Sequence, residues 1–377
     1  MNTSVHPPIG VTSPMVGVVY PPIERLRGYV GAGALGFETF PSALADSFAR
    51  NADRKALVGP EGEISYAELD TISDRLAGAF LSLGLKPLDR VIFQIGNCNE
   101  LIVGWVACLK AGLIPICTLA AHREQEIGYL GNHARARLHF VQGDDPKFDD
   151  VAFAEKMRAG IPSVGWIVQA RGDRRGPALS MIELIAMMDR DQARVRLAAV
   201  PRDPFQVAIF QLSGGTTGVP KIIPRFHNEY VGMMRGVARW NGYTADDCVF
   251  MPLPMMHNLN MGCWFGPFLL TGGTITVAPV LSPEVFMRIF DRYDPTWAML
   301  GGPIVAKLEP AIRAGKLPLR KLKAVTSANG APKLRELLGV PVYHLFGMTE
   351  GVLMFTREGD PLHVQDTMNG RPISDYD

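Results

Sequence analysis

From residue 64 onward the apolar positions alternate between two rhythms. Residues 64–84 (ISYAELDTISDRLAGAFLSLG) place Leu69, Ile72, Leu76, Phe80 and Leu83 near the spacing of one helix face. Residues 90–96 (RVIFQIG) read as a strand, 100–112 (ELIVGWVACLKAG) as a helix closed by Gly112, 113–119 as a buried strand, 123–134 as a helix and 137–142 as another strand. The alternation resumes at residue 206. Strands are expected at 206–213, 248–253, 274–279 and 296–301, and helices at 227–240 and 282–293, the latter with Ser282 as N-cap. Two further apolar strands, in 322–331 and 340–350, run into polar loops. Apolar strands alternating with helices imply an α/β fold, with parallel sheets covered on both faces.

Two stretches break the pattern. The first 40 residues are rich in Gly and Pro and read as a flexible arm. Within it Gly31, Gly33 and Gly36 spell G-x-G-x-x-G, but no strand precedes the match and no helix opens in it, so it reads as chance. Residues 143–203 are more polar and read as an irregular connection.

Composition narrows the partners. At 377 residues the chain exceeds one ordinary core. Lys and Arg number 38 against 37 Asp and Glu, and a formal charge of +1 offers no global attraction for nucleic acid or anionic lipid. A small molecule is the better expectation. The apolar region 101–121 is interrupted by Lys110 and Pro115, short of a membrane span, and five cysteines without a C-x-x-C pair fit a reducing cytoplasm.

The chemistry concentrates in 211–221, QLSGGTTGVPK. Gly214, Gly215 and Gly218 free the backbone to turn N–H groups toward an anion, Ser213, Thr216 and Thr217 add hydroxyl donors, and Lys221 adds charge. This is a loop for polyphosphate. It is not the P-loop G-x-x-x-x-G-K-[ST], because no Ser or Thr follows the lysine.

SGGTTGVPK resembles the phosphate loop of the adenylate-forming superfamily of acyl-CoA synthetases, luciferases and nonribosomal adenylation domains. ISYAELD (64–70), LKAGLIPICTLAAHR (109–123), MPLPMMHN (251–258) and HLFGMTEG (344–351) agree in order. AAHR, IIPRFHNEY, PMMHN and FGMTEG followed by FTREGDP are most similar to stand-alone aryl-acid AMP ligases, which activate 2,3-dihydroxybenzoate or salicylate for siderophore-type nonribosomal assembly. The resemblance implies ATP and Mg²⁺ as cofactors, an aryl-adenylate intermediate, and transfer to the phosphopantetheine thiol of a carrier protein. An aryl- or acyl-CoA ligase differs only in the thiol acceptor, and a non-catalytic nucleotide- or carrier-binding module is a rival of another class.

By the family pattern, Thr216, Thr217 and Lys221 contact the β and γ phosphates, Thr349 the α-phosphate, and Glu350 the Mg²⁺. Phe346 stacks on adenine opposite the loop of Asn329, Gly330 and Ala331, and Gly347 and Met348 complete the nucleotide contacts. His257 orients or gates the acid, and Asn258 bonds its carboxylate and ortho hydroxyl. Leu259, Cys263, Leu345 and Leu353 line the ring. Taken singly, a Phe at a strand end is ordinary core and a lone His is ordinarily structural. Leu259 departs from the aromatic common at its position, and Asn329 from the common Gly. Cys263 stands where salicylate-activating members tend to carry Cys and dihydroxybenzoate-activating ones Ser. The apolar wall implies a preference for salicylate.

The resemblance implies two doubly wound subdomains, 41–200 and 201–320, after the arm of 1–40, and a smaller distorted β-barrel in 321–377. The ribose-binding Asp, hinge and C-terminal lid domain with its catalytic lysine are expected beyond Asp377.

Overall fold

The computed structural model describes residues 8–214 and 218–374. The chain divides into two compact units, Met1–Ala45 with Leu69–Gly96 and Glu100–Gly232, and Asp46–Glu68 with Asn97–Asn99 and Met233–Asp377.

The first unit is built on seven strands in the order Leu179–Ser180, Trp166–Gln169, Leu138–Val141, Arg90–Gln94, Ile114–Ile116, Val207–Ser213 and Lys221–Phe226. All neighbours pair in parallel except the last two, which form an antiparallel hairpin. Helices cover both faces, and glycines let them approach. A Cβ at Gly104, in Asn99–Lys110, would meet the Phe140 ring at 2.4 Å, and one at Gly131, in Glu124–His133, would meet Ile92 at 3.0 Å on the opposite face. Gly112 closes its helix as expected, at φ +70.

Residues 8–40 of the arm and the polar connection are both packed against the rest of the unit. Thr12 donates to Asp203 through N (2.7 Å) and Oγ1 (2.8 Å), Tyr20 donates its hydroxyl to Gln206 at 2.6 Å, and Met15, Val18 and Tyr20 pack on the core. Helix Ile23–Gly31 ends on the first of the three glycines, so the G-x-G-x-x-G match trails a helix instead of opening one, and no dinucleotide cradle forms. Residues 143–203 contain helices Asp150–Gly160, Met181–Met187 and Arg190–Ala198 and two of the sheet strands. The helix Arg190–Ala198 is polar nearly all round and is held by ion pairs: Arg190 reaches Asp70 at 2.6 Å and Asp74 at 3.1 Å, and Lys110 meets both carboxylates at 2.6 Å. That support is tertiary, which is why the local pattern reads as irregular.

The second unit has nine strands in the order Arg371–Pro372, Leu353–Phe355, Val342–Gly347, Ala324–Ser327, Trp297–Met299, Cys248–Phe250, Thr274–Thr276, Lys55–Gly59 and Gly62–Ser65. The central six run parallel and both edges are antiparallel. Ser282 caps Pro283–Tyr293 as expected, accepting from Val285 N at 3.3 Å, and Phe286, Phe290, Ile304, Leu308 and Leu334 form the core beneath Phe250. Among the described residues no barrel closes. Leu353–Phe355 and Arg371–Pro372 instead extend the same sheet, because Leu345, Phe346 and Gly347 pair directly with Phe355, Met354 and Leu353.

Candidate active site

The glycine-rich loop joins the hairpin strands of the first unit. Ser213 and Lys221 are cross-strand partners, so the connection starts and ends at one point on the sheet edge. Gly218 sits at φ +86, where a side chain is disfavoured, and a Cβ at Gly214 or Gly218 would meet nothing within 4 Å. Lys221 is exposed. Gly215, Thr216 and Thr217 lie outside the described residues.

In the second unit, eight of the expected positions gather around one cavity of about 100 Å³: His257, Asn258, Leu259, Cys263, Gly347, Met348, Thr349 and Leu353. Local turns and one long-range clamp place the segment that carries four of them. Asn97 clamps the PLPMM segment, donating from Nδ2 to Leu253 O at 2.9 Å and accepting from Met255 N at 2.9 Å. His257 N then bonds Pro254 O at 3.1 Å, and the chain turns into a continuous helical run through Asn258–Asn260, Met261–Phe265 and Gly266–Thr271. The middle segment is a π turn, a form found often at functional sites. It carries Cys263 fully inward.

His257 is the N-cap of that run. Its Nδ1 accepts from Leu259 N at 3.2 Å, which leaves the ring proton on Nε2. Partial burial holds its pKa below the ordinary histidine value, so the ring is neutral at pH 7. A neutral imidazole with Nε2–H is a hydrogen-bond donor at that nitrogen. It suits holding a carboxylate and does not suit taking a proton there.

The second-unit positions expected to contact nucleotide cluster at carboxyl ends of parallel strands, the general ligand side of open α/β sheets. Ala324–Ser327 and Val342–Gly347 are neighbours, with Ser327 paired to His344. Beyond the first, Ser327 Oγ donates to Asn329 O at 2.7 Å, and Gly330, at φ +71, opens helix Ala331–Leu338. On the second, Phe346 is 40% exposed, an unusual state for a strand phenylalanine. Glu350 is exposed beside Thr349. Among the described residues no cluster of three or more His, Cys, Asp or Glu forms a metal cage. One carboxylate with phosphate oxygens fits Mg²⁺, which keeps much of its water.

Two positions depart from the expected arrangement. Leu345 is buried against the neighbouring strand and is not part of the cavity lining. Met233, in helix His227–Asn241, lines the cavity and carries no local signal, since a methionine on an amphipathic helix reads as core.

The parallel-rich α/β fold, with loops and a small cavity at its strand ends, is that of a ligand-binding domain. The chain belongs to the AMP-binding enzyme family, whose model matches residues 44–377. It is 34% identical to the salicyl-AMP ligase / salicyl-S-ArCP synthetase of Mycobacterium tuberculosis, over 96% of this chain and 65% of that protein. It is 31% identical to a 2-hydroxy-7-methoxy-5-methyl-1-naphthoate–CoA ligase of Streptomyces carzinostaticus, over 96% of this chain and 67% of that protein. The apo structure of Mycobacterium smegmatis MbtA superposes with a TM-score of 0.83 at 28% identity, covering 95% of this chain and 66% of that one. The chain thus spans about two-thirds of the length of these relatives.

Proposed function

We propose that this chain carries the ATP and aryl-acid sites of an AMP-forming ligase for 2-hydroxybenzoates. The observation that carries the reading is the cavity itself, whose lining combines a donor imidazole and Asn258 with the apolar Leu259, Cys263 and Leu353. The acid, with a pKa near 4, is already ionised at pH 7 and needs no general base. Its carboxylate oxygen attacks the α-phosphorus of ATP, the bond to the β,γ unit breaks, and pyrophosphate leaves with that electron pair. His257 Nε2–H and Asn258 orient the carboxylate. Ser213, Thr216, Thr217 and Lys221 stabilise charge growing on the leaving group without covalent chemistry. Glu350 would hold Mg²⁺, which neutralises phosphate charge when bound, and Thr349 would contact the α-phosphate. Phe346 offers its exposed face to adenine.

Transfer of the aryl group to a carrier-protein phosphopantetheine in siderophore-type synthesis completes the proposal, in the cytoplasm. Similarity to a naphthoate–CoA ligase favours CoA as the second reading of the acceptor. No helix among the described residues is long and apolar enough to cross a membrane.

The test is equilibrium titration of the chain with Mg·ATP and with salicylate, 2,3-dihydroxybenzoate and benzoate, followed by acid-dependent ATP–pyrophosphate exchange. Saturable binding of ATP and of a 2-hydroxybenzoate is expected. Binding of ATP with no aryl acid would leave a nucleotide-binding module and refute the ligase reading.

A further inference from the structure

The cavity is small for the ligand proposed above. It measures about 100 Å³, whereas an engineered apolar cavity that admits benzene measures about 150 Å³. A benzoate ring is wholly enclosed by it only if a wall yields.

The walls differ in how far they can move. Cys263 sits in the fully buried π turn. Leu353 is paired across the strand to Gly347, and its Cδ1 stands 2.9 Å from where a Cβ on that glycine would be. Met348 is 47% exposed and belongs to the rim. Met233 is partly buried and lies on a helix whose seat is fixed by its neighbour: Met234 is fully buried, with Sδ and Cε 2.5 Å from where a Gly266 Cβ would stand. The adjoining Gly232 has open space around a would-be Cβ. Met233 therefore combines an anchored backbone with an unbranched side chain of three rotatable bonds, the residue type that adapts to irregular gaps.

We infer that Met233 sets the depth of the acid cavity, yielding enough for one substituted ring and excluding fused-ring acids. The inference rests on the function proposed above and adds a specificity-determining residue to it.

The experiment compares wild type, Met233→Ala and Met233→Leu for dissociation constants of salicylate, 2-hydroxy-1-naphthoate and ATP. Wild type should favour salicylate. Met233→Ala should shift the naphthoate-to-salicylate ratio by about tenfold or more, the discrimination expected when a few methylene-sized groups leave an apolar pocket. Met233→Leu, close in volume, should keep the wild-type ranking. A cooperative thermal melt and unchanged ATP affinity identify a folded Met233→Ala variant. Wild type that binds salicylate with a ranking indifferent to Met233→Ala overturns the inference and leaves the function standing. A wild type that binds naphthoate as tightly as salicylate also overturns it, and one that binds neither acid overturns both.

Discussion

Replacing His257 separates its two tasks. The ring accepts the Leu259 N–H at 3.2 Å through Nδ1, capping the helical run that carries Asn258 and Cys263. In the proposed function the opposite nitrogen donates to the acid. His257→Ala removes both, costing about 1 kcal/mol of stability for the cap and about 1.5 to 3 kcal/mol of acid binding for a hydrogen bond to a charged group. His257→Asn divides them, because asparagine caps a helix well but its amide, once turned to Leu259 N, cannot also fill the place of Nε2. Salicylate affinity should thus fall roughly ten- to a hundredfold in both variants, while only the alanine variant loses thermal stability. Isothermal titration with salicylate and a thermal melt of each protein give the two readouts. The pH dependence adds a check of sign. Burial lowers the folded pKa of His257 beneath the ordinary 6.5, so its contribution to stability is complete above 6.5 and is lost as pH falls from there through the folded pKa. An asparagine variant that binds salicylate as wild type does would refute the role of the ring as donor.

Lys221→Ala should weaken Mg·ATP binding by roughly tenfold or more, since a charge-assisted phosphate contact is worth about 1.5 to 3 kcal/mol; unchanged nucleotide titration removes the loop from the site. Cys263→Ser should raise the affinity for 2,3-dihydroxybenzoate relative to salicylate, because an unpaired hydroxyl against an apolar wall costs on the order of 1 to 3 kcal/mol; a ranking indifferent to the change contradicts that wall. Asp74→Asn should destabilise the first unit by about 3 kcal/mol in chemical denaturation, as it strips a carboxylate from the nearly buried Lys110 ammonium, and a loss below about 1 kcal/mol would mean that Asp70 suffices. Burial raises the Asp74 pKa, yet Lys110 and Arg190 together hold it below the ordinary 3.8, so its stabilisation is present above that value and lost as pH falls through the folded pKa.

Sequence alone determined the features that depend on local chemistry. Helical spacing at Leu69, Leu76 and Phe80 places them in the core face of Tyr66–Ser82, and Ser282 caps the helix it precedes, because both signals act within a turn or two. The glycine-rich loop and the ordered motifs around His257 and Glu350 were likewise legible as a family resemblance, since dense Gly, Ser, Thr and Lys carry their signal without reference to neighbours. Pairing over long distances was not. Lys55–Gly59 joins Thr274–Thr276 in one sheet, and Tyr66 donates its hydroxyl to Gly273 O at 2.7 Å, although more than 200 residues separate them. The polar helix Arg190–Ala198 exists because Asp70 and Asp74 receive it, and Met233 lines a cavity because Met234 seats its helix on Gly266. An apolar strand carries no record of its parallel neighbour, and a methionine none of the space it faces, so partner and space are decided only when the chain packs.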